Sequence, residues 1–431
     1  MITLPIFLAT VYLSMAQPAV GSLRITPSRA ALLGAAAMLL LFPSSPWPLV
    51  HSSVLILWRP LLTITGLMIV TLVARRAGLF DRLVGAVVRA SGGDGRRLFA
   101  WLFVTGVLTG SIFTNDAAVL ILTPMVCLLC RRSPGLQPAP YLFAVLNVAN
   151  LVAALVISNP INLVVADYIG IPFVEYAAWM ALPAAVAAAS TYAVLRFYFR
   201  REIAASRLEP PPEPNAPRSP LLVPSLAVIG LIVPAAFLGP LIGLPLWLIM
   251  AGGAAVLLLL ARRLAGIAPQ AVVRDVAWDV LIFVAGIFII VNGLRETGLA
   301  GMLAELMARL GGRELPSMIV STGVVAAVSS ALMNNHPTAY LMAMSLDHLT
   351  AVPAEQRVLA FAMLIGGDLG PKLLPIGSLA ALLWFRILKD HGIQMPYGRY
   401  IRVGVPVTLV ALLLALAVLA GEAAVVRLLA G

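Results

Sequence analysis

The chain has 431 residues, of which 61% are hydrophobic and only 11% charged, with a formal charge of +11 and a mean hydropathy of +1.01. A soluble domain has roughly 25% charged residues, so there is too little polar surface here to coat a water-exposed body of this size. The runs lack the alternating polarity of a membrane β-barrel. The basic excess reads as loop charge that sets orientation and meets anionic lipid, not as a nucleic-acid surface.

Taken in chain order, apolar runs at about 2–19, 30–49, 54–74, 140–169 and 176–199 predict five membrane-spanning helices, each near the ~20 residues that cross a bilayer core. The first lacks a basic leading region, so it reads as a span and not as a cleaved signal peptide. Between the third and fourth, a run at 98–129 is split by Phe113-Thr114-Asn115-Asp116. The fourth is itself broken by Ile157-Ser158-Asn159-Pro160-Ile161-Asn162. The proline-rich stretch 209–220 predicts an extended cytoplasmic linker. A second set of spans follows at about 221–238, 242–261, 277–294, 356–388 and 401–420. Its split run, 316–346, is interrupted by Met333-Asn334-Asn335-His336-Pro337-Thr338, and its fourth span is broken from Gly366 through Ser378. Each half of a split run is about 15 residues, or roughly 22 Å as helix, which is short for a crossing. Each split run therefore predicts a re-entrant hairpin with a polar tip at mid-membrane, where irregular backbone is tolerated only against protein or a watery cavity.

The two sets correspond. Trp58, Gly66 and Gly78 recur at the same spacing as Trp278, Gly286 and Gly298, and Asn115 and Ser158 are matched by Asn334 and Ser378. This indicates duplication, and an odd number of spans per half requires the second copy to be inverted. The expected fold is an all-α polytopic membrane protein of two inverted repeats of five transmembrane helices, 1–208 and 221–431, each with a re-entrant hairpin and a broken helix. With both termini periplasmic, 22 of the 29 lysines and arginines fall on the cytoplasmic side and six outside, with Lys372 in a break. That asymmetry is what inner-membrane topology demands.

Polar residues inside a bilayer are costly and mark function, and paired broken segments point to a transporter's central site. The candidate substrate-binding residues are Asn115, Ser158, Asn159, Asn162, Asn334, Asn335 and Ser378. Asp116 and Asp368 are the candidates for proton coupling, because a carboxylate whose burial and charged neighbours change with access would change protonation. Lys372 supplies electrostatic support, or simply neutralises Asp368 or Asp116. His336 beside its tip reads as a hydrogen-bonding residue, with titration near neutral pH as the alternative. Pro160, Pro371 and Pro375 favour the breaks because proline lacks the N–H. Cys127 and Cys130 share a helix face and read as small buried thiols. No metal cluster, cofactor motif, nucleotide loop or activated nucleophile is evident, so the chain is expected to be a transporter and not an enzyme. An intramembrane aspartyl protease built on Asp116 and Asp368 would need two carboxylates sharing a proton, and Lys372 and the repeated asparagines argue against it.

The segments TNDAAVLILTP (114–124), VISNPINLVVADYIG (156–170), FVEYA (173–177), MNNHPTAYL (333–341) and GGDLGPKLLPIGSLAALLW (366–384) resemble the ArsB arsenite efflux permeases of the ion transporter superfamily. Ala117 stands where that family typically shows glycine, and His336 occupies its variable position. The resemblance implies export of trivalent arsenic and antimony from the cytoplasm across the bacterial inner membrane. Some members of the family work with a soluble arsenite-stimulated ATPase. The chemistry agrees with this implication, since arsenous acid is a neutral trihydroxide that amides, hydroxyls and carboxylates can hydrogen-bond on all sides. Three-thiolate capture would need three cysteines, and the chain has two. A Na⁺/H⁺ antiporter or organic-anion transporter of the same superfamily is the alternative.

Overall fold

The structure is a computed structural model that describes residues 2–20, 23–41, 46–113, 115–208, 219–349 and 352–430. Most of the expected linker, 209–218, lies outside the described residues. In the first half the helices are α1 (Thr3–Ala16), α2 (Pro27–Leu41), α3 (Pro46–Arg76), α4 (Leu79–Ser91), α5 (Gly95–Ile112), α6 (Asn115–Arg132), α7 (Pro138–Val148), α8 (Pro160–Ile169), α9 (Phe173–Tyr198) and α10 (Arg200–Ala205). In the second they are α11 (Leu222–Leu238), α12 (Leu246–Ala265), α13 (Pro269–Arg274), α14 (Trp278–Gly293), α15 (Leu299–Gly311), α16 (Leu315–Met333), α17 (Asn335–Leu349), α18 (Pro353–Leu369), α19 (Leu379–Asp390) and α20 (Tyr397–Ala430). A two-residue antiparallel ribbon, β1 (Ala19–Val20) with β2 (Leu23–Arg24), joins α1 to α2.

Among the described residues, six helical stretches are long and apolar enough to cross a bilayer: Trp47–Arg76, Phe173–Tyr198, Leu222–Ile242, Leu246–Ala265, Leu315–Met333 and Tyr397–Leu429. The other apolar helices are shorter because the chain breaks within them or turns sharply at their ends. Gly78 (φ 76°) and Gly298 (φ 75°) hold the left-handed conformation that ends the stretches beginning at α3 and α14, a backbone glycine adopts without a Cβ penalty. Each leads into an amphipathic helix. In α4, Phe80, Val87 and Val88 are buried and Arg89 is exposed; in α15, Ala300, Ala304 and Met307 are buried and Arg309 is exposed.

Both split runs form pairs of consecutive, mutually packed helices. Three of the four arms are longer than their apolar cores suggest, with 18 residues each in α5 and α6 and 19 in α16, while α17 has the expected 15. At about 1.5 Å per residue three of the four arms reach roughly 27–28 Å. The added length lies in flanking turns such as Gly95-Arg96-Arg97 and Arg131-Arg132, where polar residues continue the helix beyond the apolar run. The second pair turns at Asn334, which has φ 76° and ψ 158°.

Contacts between the halves are reciprocal. A Cβ added to Gly66 of α3 would stand 2.8 Å from the carbonyl oxygen of Met250 in α12, and one added to Gly286 of α14 would stand 2.9 Å from that of Ala31 in α2. Helices α3 and α14 thus each pack backbone to backbone on a helix of the other half. Within the second half, α16 approaches the broken helix just as closely. A Cβ on Gly366 would meet the Gly323 carbonyl oxygen at 2.0 Å, and one on Gly370 would meet that of Ala327 at 2.2 Å. Small residues let helices close in this way where lipid supplies no hydrophobic drive. Buried aromatics complete the frame: Phe143 of α7 packs on Trp384 of α19 with centroids 5.8 Å apart, tying the helix that enters one break to the helix that leaves the other.

Candidate functional site

The two breaks are built alike. In the first, a single 3-10 turn (Val156–Ser158) precedes Asn159, whose extended backbone (φ −142°, ψ 133°) caps α8 through a side-chain bond to the Ile161 N–H. Proline at the next position both enforces that extension and starts the helix without needing an N–H partner. In the second, the turn Pro375–Gly377 precedes Ser378, extended at φ −130° and ψ 125°, which caps α19 through Ala381 N–H. Ser and Asn are strong N-caps because their side-chain oxygens satisfy otherwise orphaned amides.

The breaks face each other across Asp368, the penultimate residue of α18, which has no exposed surface. Asn159 donates its side-chain amide to Oδ1 at 2.7 Å. Asn162 donates to Oδ2 at 3.3 Å, and the backbone N–H of Ala153 donates to the same oxygen at 3.2 Å. The carbonyl of Ala153 accepts from the Tyr176 hydroxyl at 3.3 Å. Both backbone groups of this unwound residue are therefore satisfied by side chains, as irregular backbone inside a bilayer requires. Two further bonds cross between the halves: Asn150 donates to the Ser378 hydroxyl at 2.9 Å, and Lys372 Nζ donates to the Asn147 carbonyl at 3.0 Å.

Several oxygens here lack donors. Among the described residues, Asn147 Oδ1, Asn162 Oδ1 and Ser330 Oγ are buried without a partner. Ser330 Oγ lies 3.9 Å from where a Cβ on Gly367 would stand, so it borders the same break. A cavity of about 220 Å³ adjoins the first break, lined in part by Ser111, Val152, Ala153, Ser158 and Ala184. The arrangement is rich in acceptors around one carboxylate, and it suits a small ligand that brings O–H donors.

A family model described as arsenical pump membrane protein matches residues 2–421. The chain belongs to this family. The arsenical pump membrane protein of Escherichia coli is 34% identical over 376 residues, covering 85% of this chain and 86% of that protein. The Yersinia enterocolitica protein of the same description is 35% identical over 377 residues, with the same coverage. Among solved structures, the YdaH transporter of Alcanivorax borkumensis superposes with a TM-score of 0.59 at 16% identity, covering 97% of this chain and 96% of its own. MtrF of Neisseria gonorrhoeae, described among antimetabolite efflux pumps, gives 0.56 at 13% identity, covering 97% and 94%. The family is one of membrane pumps, not of enzymes, and the chain is a multi-pass membrane protein with the all-α fold of these transporters.

Of the candidates named from the sequence, the structure joins Asn159, Asn162 and Asp368 in one hydrogen-bonded network, sets Lys372 and Ser378 in separate bonds to Asn147 and Asn150 between the two halves, and places Ser158 in the wall of the adjoining cavity. Lys372 does not neutralise Asp368 by direct pairing, since no salt bridge within 4.0 Å joins them among the described residues. Its ammonium instead satisfies backbone of the opposite break. The second hairpin tip forms a network of its own. Asn334 Oδ1 accepts from the His336 N–H at 3.3 Å, Asn335 Oδ1 lies 2.9 Å from His336 Nδ1, and the imidazole packs on Phe283 at 5.3 Å. No described hydrogen bond links this tip to Asp368. Asn115 opens α6, but its side chain and that of Asp116 lie outside the described residues. Asn147, Asn150, Tyr176 and Ser330 were not singled out in the sequence. Asn147 and Asn150 carried a signal, two amides three residues apart in an otherwise apolar span.

Proposed function

We propose that this protein exports trivalent arsenic as arsenite, and antimonite with it, as neutral trihydroxides in exchange for entering protons. The observation that carries the reading is the wholly buried Asp368 carboxylate, held by amides of the opposite break, one of which, Asn162, keeps an unpartnered side-chain oxygen. A trihydroxide supplies three O–H donors to such a site. A proton on the carboxylate would compete for the same acceptors, so cargo and proton would exclude each other, as exchange requires. The halves 1–208 and 221–431 act as inverted repeats whose hairpins and broken helices shift against the remaining helices. The reciprocal Gly66–Met250 and Gly286–Ala31 contacts support that arrangement. Asn159, Asn162 and Ser378 contact the cargo, with Ser158 beside them. Asn115, Asn334 and Asn335 close the site from the tips, and Asp116 shares the coupling role.

The test is arsenite accumulation by inverted membrane vesicles under an imposed proton gradient. Uptake by Asp368→Asn at matched protein level should fall to that of vesicles lacking the protein. Undiminished gradient-driven uptake in both Asp368→Asn and Asp116→Asn would overturn the coupling mechanism.

A further inference from the structure

At the end of the bundle where α1 and α19 finish, the chain forms an open cavity of about 590 Å³. Its rim carries Arg24 of β2 and Arg386 and Lys389 of α19, against a single carboxylate, Asp390. None of the three cations has a carboxylate within 4.0 Å among the described residues. The remaining wall is largely apolar, including Met15, Leu383 and Phe385. Arg131, from the last turn of α6, reaches the same end of α19 and donates to the His391 carbonyl at 2.8 Å. Three cations with no carboxylate partner among the described residues, lining one cavity with a largely apolar wall, have the chemistry of a site for a phosphate-bearing amphiphile: the headgroup meets the cations and the acyl chain lies along the wall.

We infer that this cavity binds the phosphate of an anionic phospholipid, bridging the α1–β2 segment to α19. The consequence is structural. Helix α19 is only 12 residues long, and its N-cap, Ser378, holds the bond from Asn150 across the two halves. A lipid gripping its far end would fix the helix that Ser378 caps at the second break.

Binding is measured without transport, so the result does not depend on the substrate. The full-length protein, purified and exchanged into detergent, is melted with added phosphatidylglycerol, with phosphatidylcholine, or with inorganic phosphate. Phosphatidylglycerol should raise the wild-type Tm and phosphatidylcholine should not. In Arg386→Gln/Lys389→Gln the phosphatidylglycerol concentration giving half the shift should rise about tenfold or more. The charge-conserving Arg386→Lys/Lys389→Arg and the remote Arg262→Gln/Arg263→Gln pair should keep the wild-type response. If the double glutamine variant does not fold, Arg24→Gln on the opposite wall should weaken the response in the same direction. An unchanged response in the cavity variants, or equal shifts from the two lipids, would overturn the site. An equal shift from inorganic phosphate alone would overturn the lipid assignment.

Discussion

Asn159 and Asp368 lie 209 residues apart in the chain and 2.7 Å apart in space. One caps the helix that leaves the first break, and the other closes the helix that enters the second. Their bond makes the two halves share one buried charge, so disturbance of either break is felt by the other.

A double-mutant cycle measures that sharing. A hydrogen bond to a charged group contributes about 1.5–3 kcal/mol, so Asn159→Ala and Asp368→Ala should show a coupling free energy of that size in denaturant unfolding. Strictly additive effects would mean that the bond carries no energy of its own.

Charge balance should show in the sign of a second cycle. Lys372→Met removes a buried cation that bonds the Asn147 carbonyl at 3.0 Å and leaves the buried Asp368 carboxylate without that positive charge nearby, so the variant should be less stable than the wild type. Adding Asp368→Asn to Lys372→Met should recover stability, because the double variant buries neither charge. A double variant less stable than Lys372→Met would show that the two side chains do not sense each other.

The close approach of α16 and α18 predicts opposite responses at neighbouring glycines. Gly366→Ala and Gly370→Ala force a methyl group against backbone carbonyls and should cost about 1–3 kcal/mol or more. Gly367→Ala, whose Cβ would meet nothing closer than 3.7 Å, should fold normally, and Gly421→Ala in α20, with no neighbour within 4 Å, should leave the melting temperature level or raise it. Equal effects at Gly366 and Gly367 would contradict the packing.

Outside the membrane, Asp94 predicts a pH effect. Its carboxylate caps α5, accepting from Arg96 N–H at 2.7 Å and Arg97 N–H at 2.9 Å. The Arg97 and Arg96 backbone bonds, helped by the charges of both arginines, hold its pKa below the ordinary 3.8, against a smaller opposing effect of desolvation. Because the folded value is the lower one, the stabilisation is present above the ordinary pKa and disappears as pH falls through the depressed one. The protection of the first α5 amides from hydrogen exchange, taken relative to the intrinsic rate at each pH, should therefore fall below about pH 4 in the wild type. Asp94→Asn keeps a capping oxygen and should remove this acid dependence. An identical pH profile in the variant would show that the carboxylate is not the group titrating.

Much of this architecture is legible in local chemistry. Pro160 and Pro375 mark the two breaks, because each removes a donor and extends the residue before it. Asn159, Asn162, Asp368 and Ser378 stand out because polar side chains are rare in apolar runs. Ser330 and Tyr176 do not stand out, since a serine among alanines and a tyrosine near a helix start are ordinary. The unpaired oxygen of one and the bond of the other to Ala153 exist only in the folded arrangement. The partner of Lys372 was equally hidden, because a backbone carbonyl leaves no trace in residue type.

The amino-acid order by itself determined the membrane class, the paired helix breaks and the residue types at them, since composition and helix interruption are local properties. Only the tertiary structure decided that Asp368 answers to the opposite break and that Lys372 answers to Asn147. Those choices depend on how closely glycine and alanine surfaces let the helices approach, which is a property of two segments together.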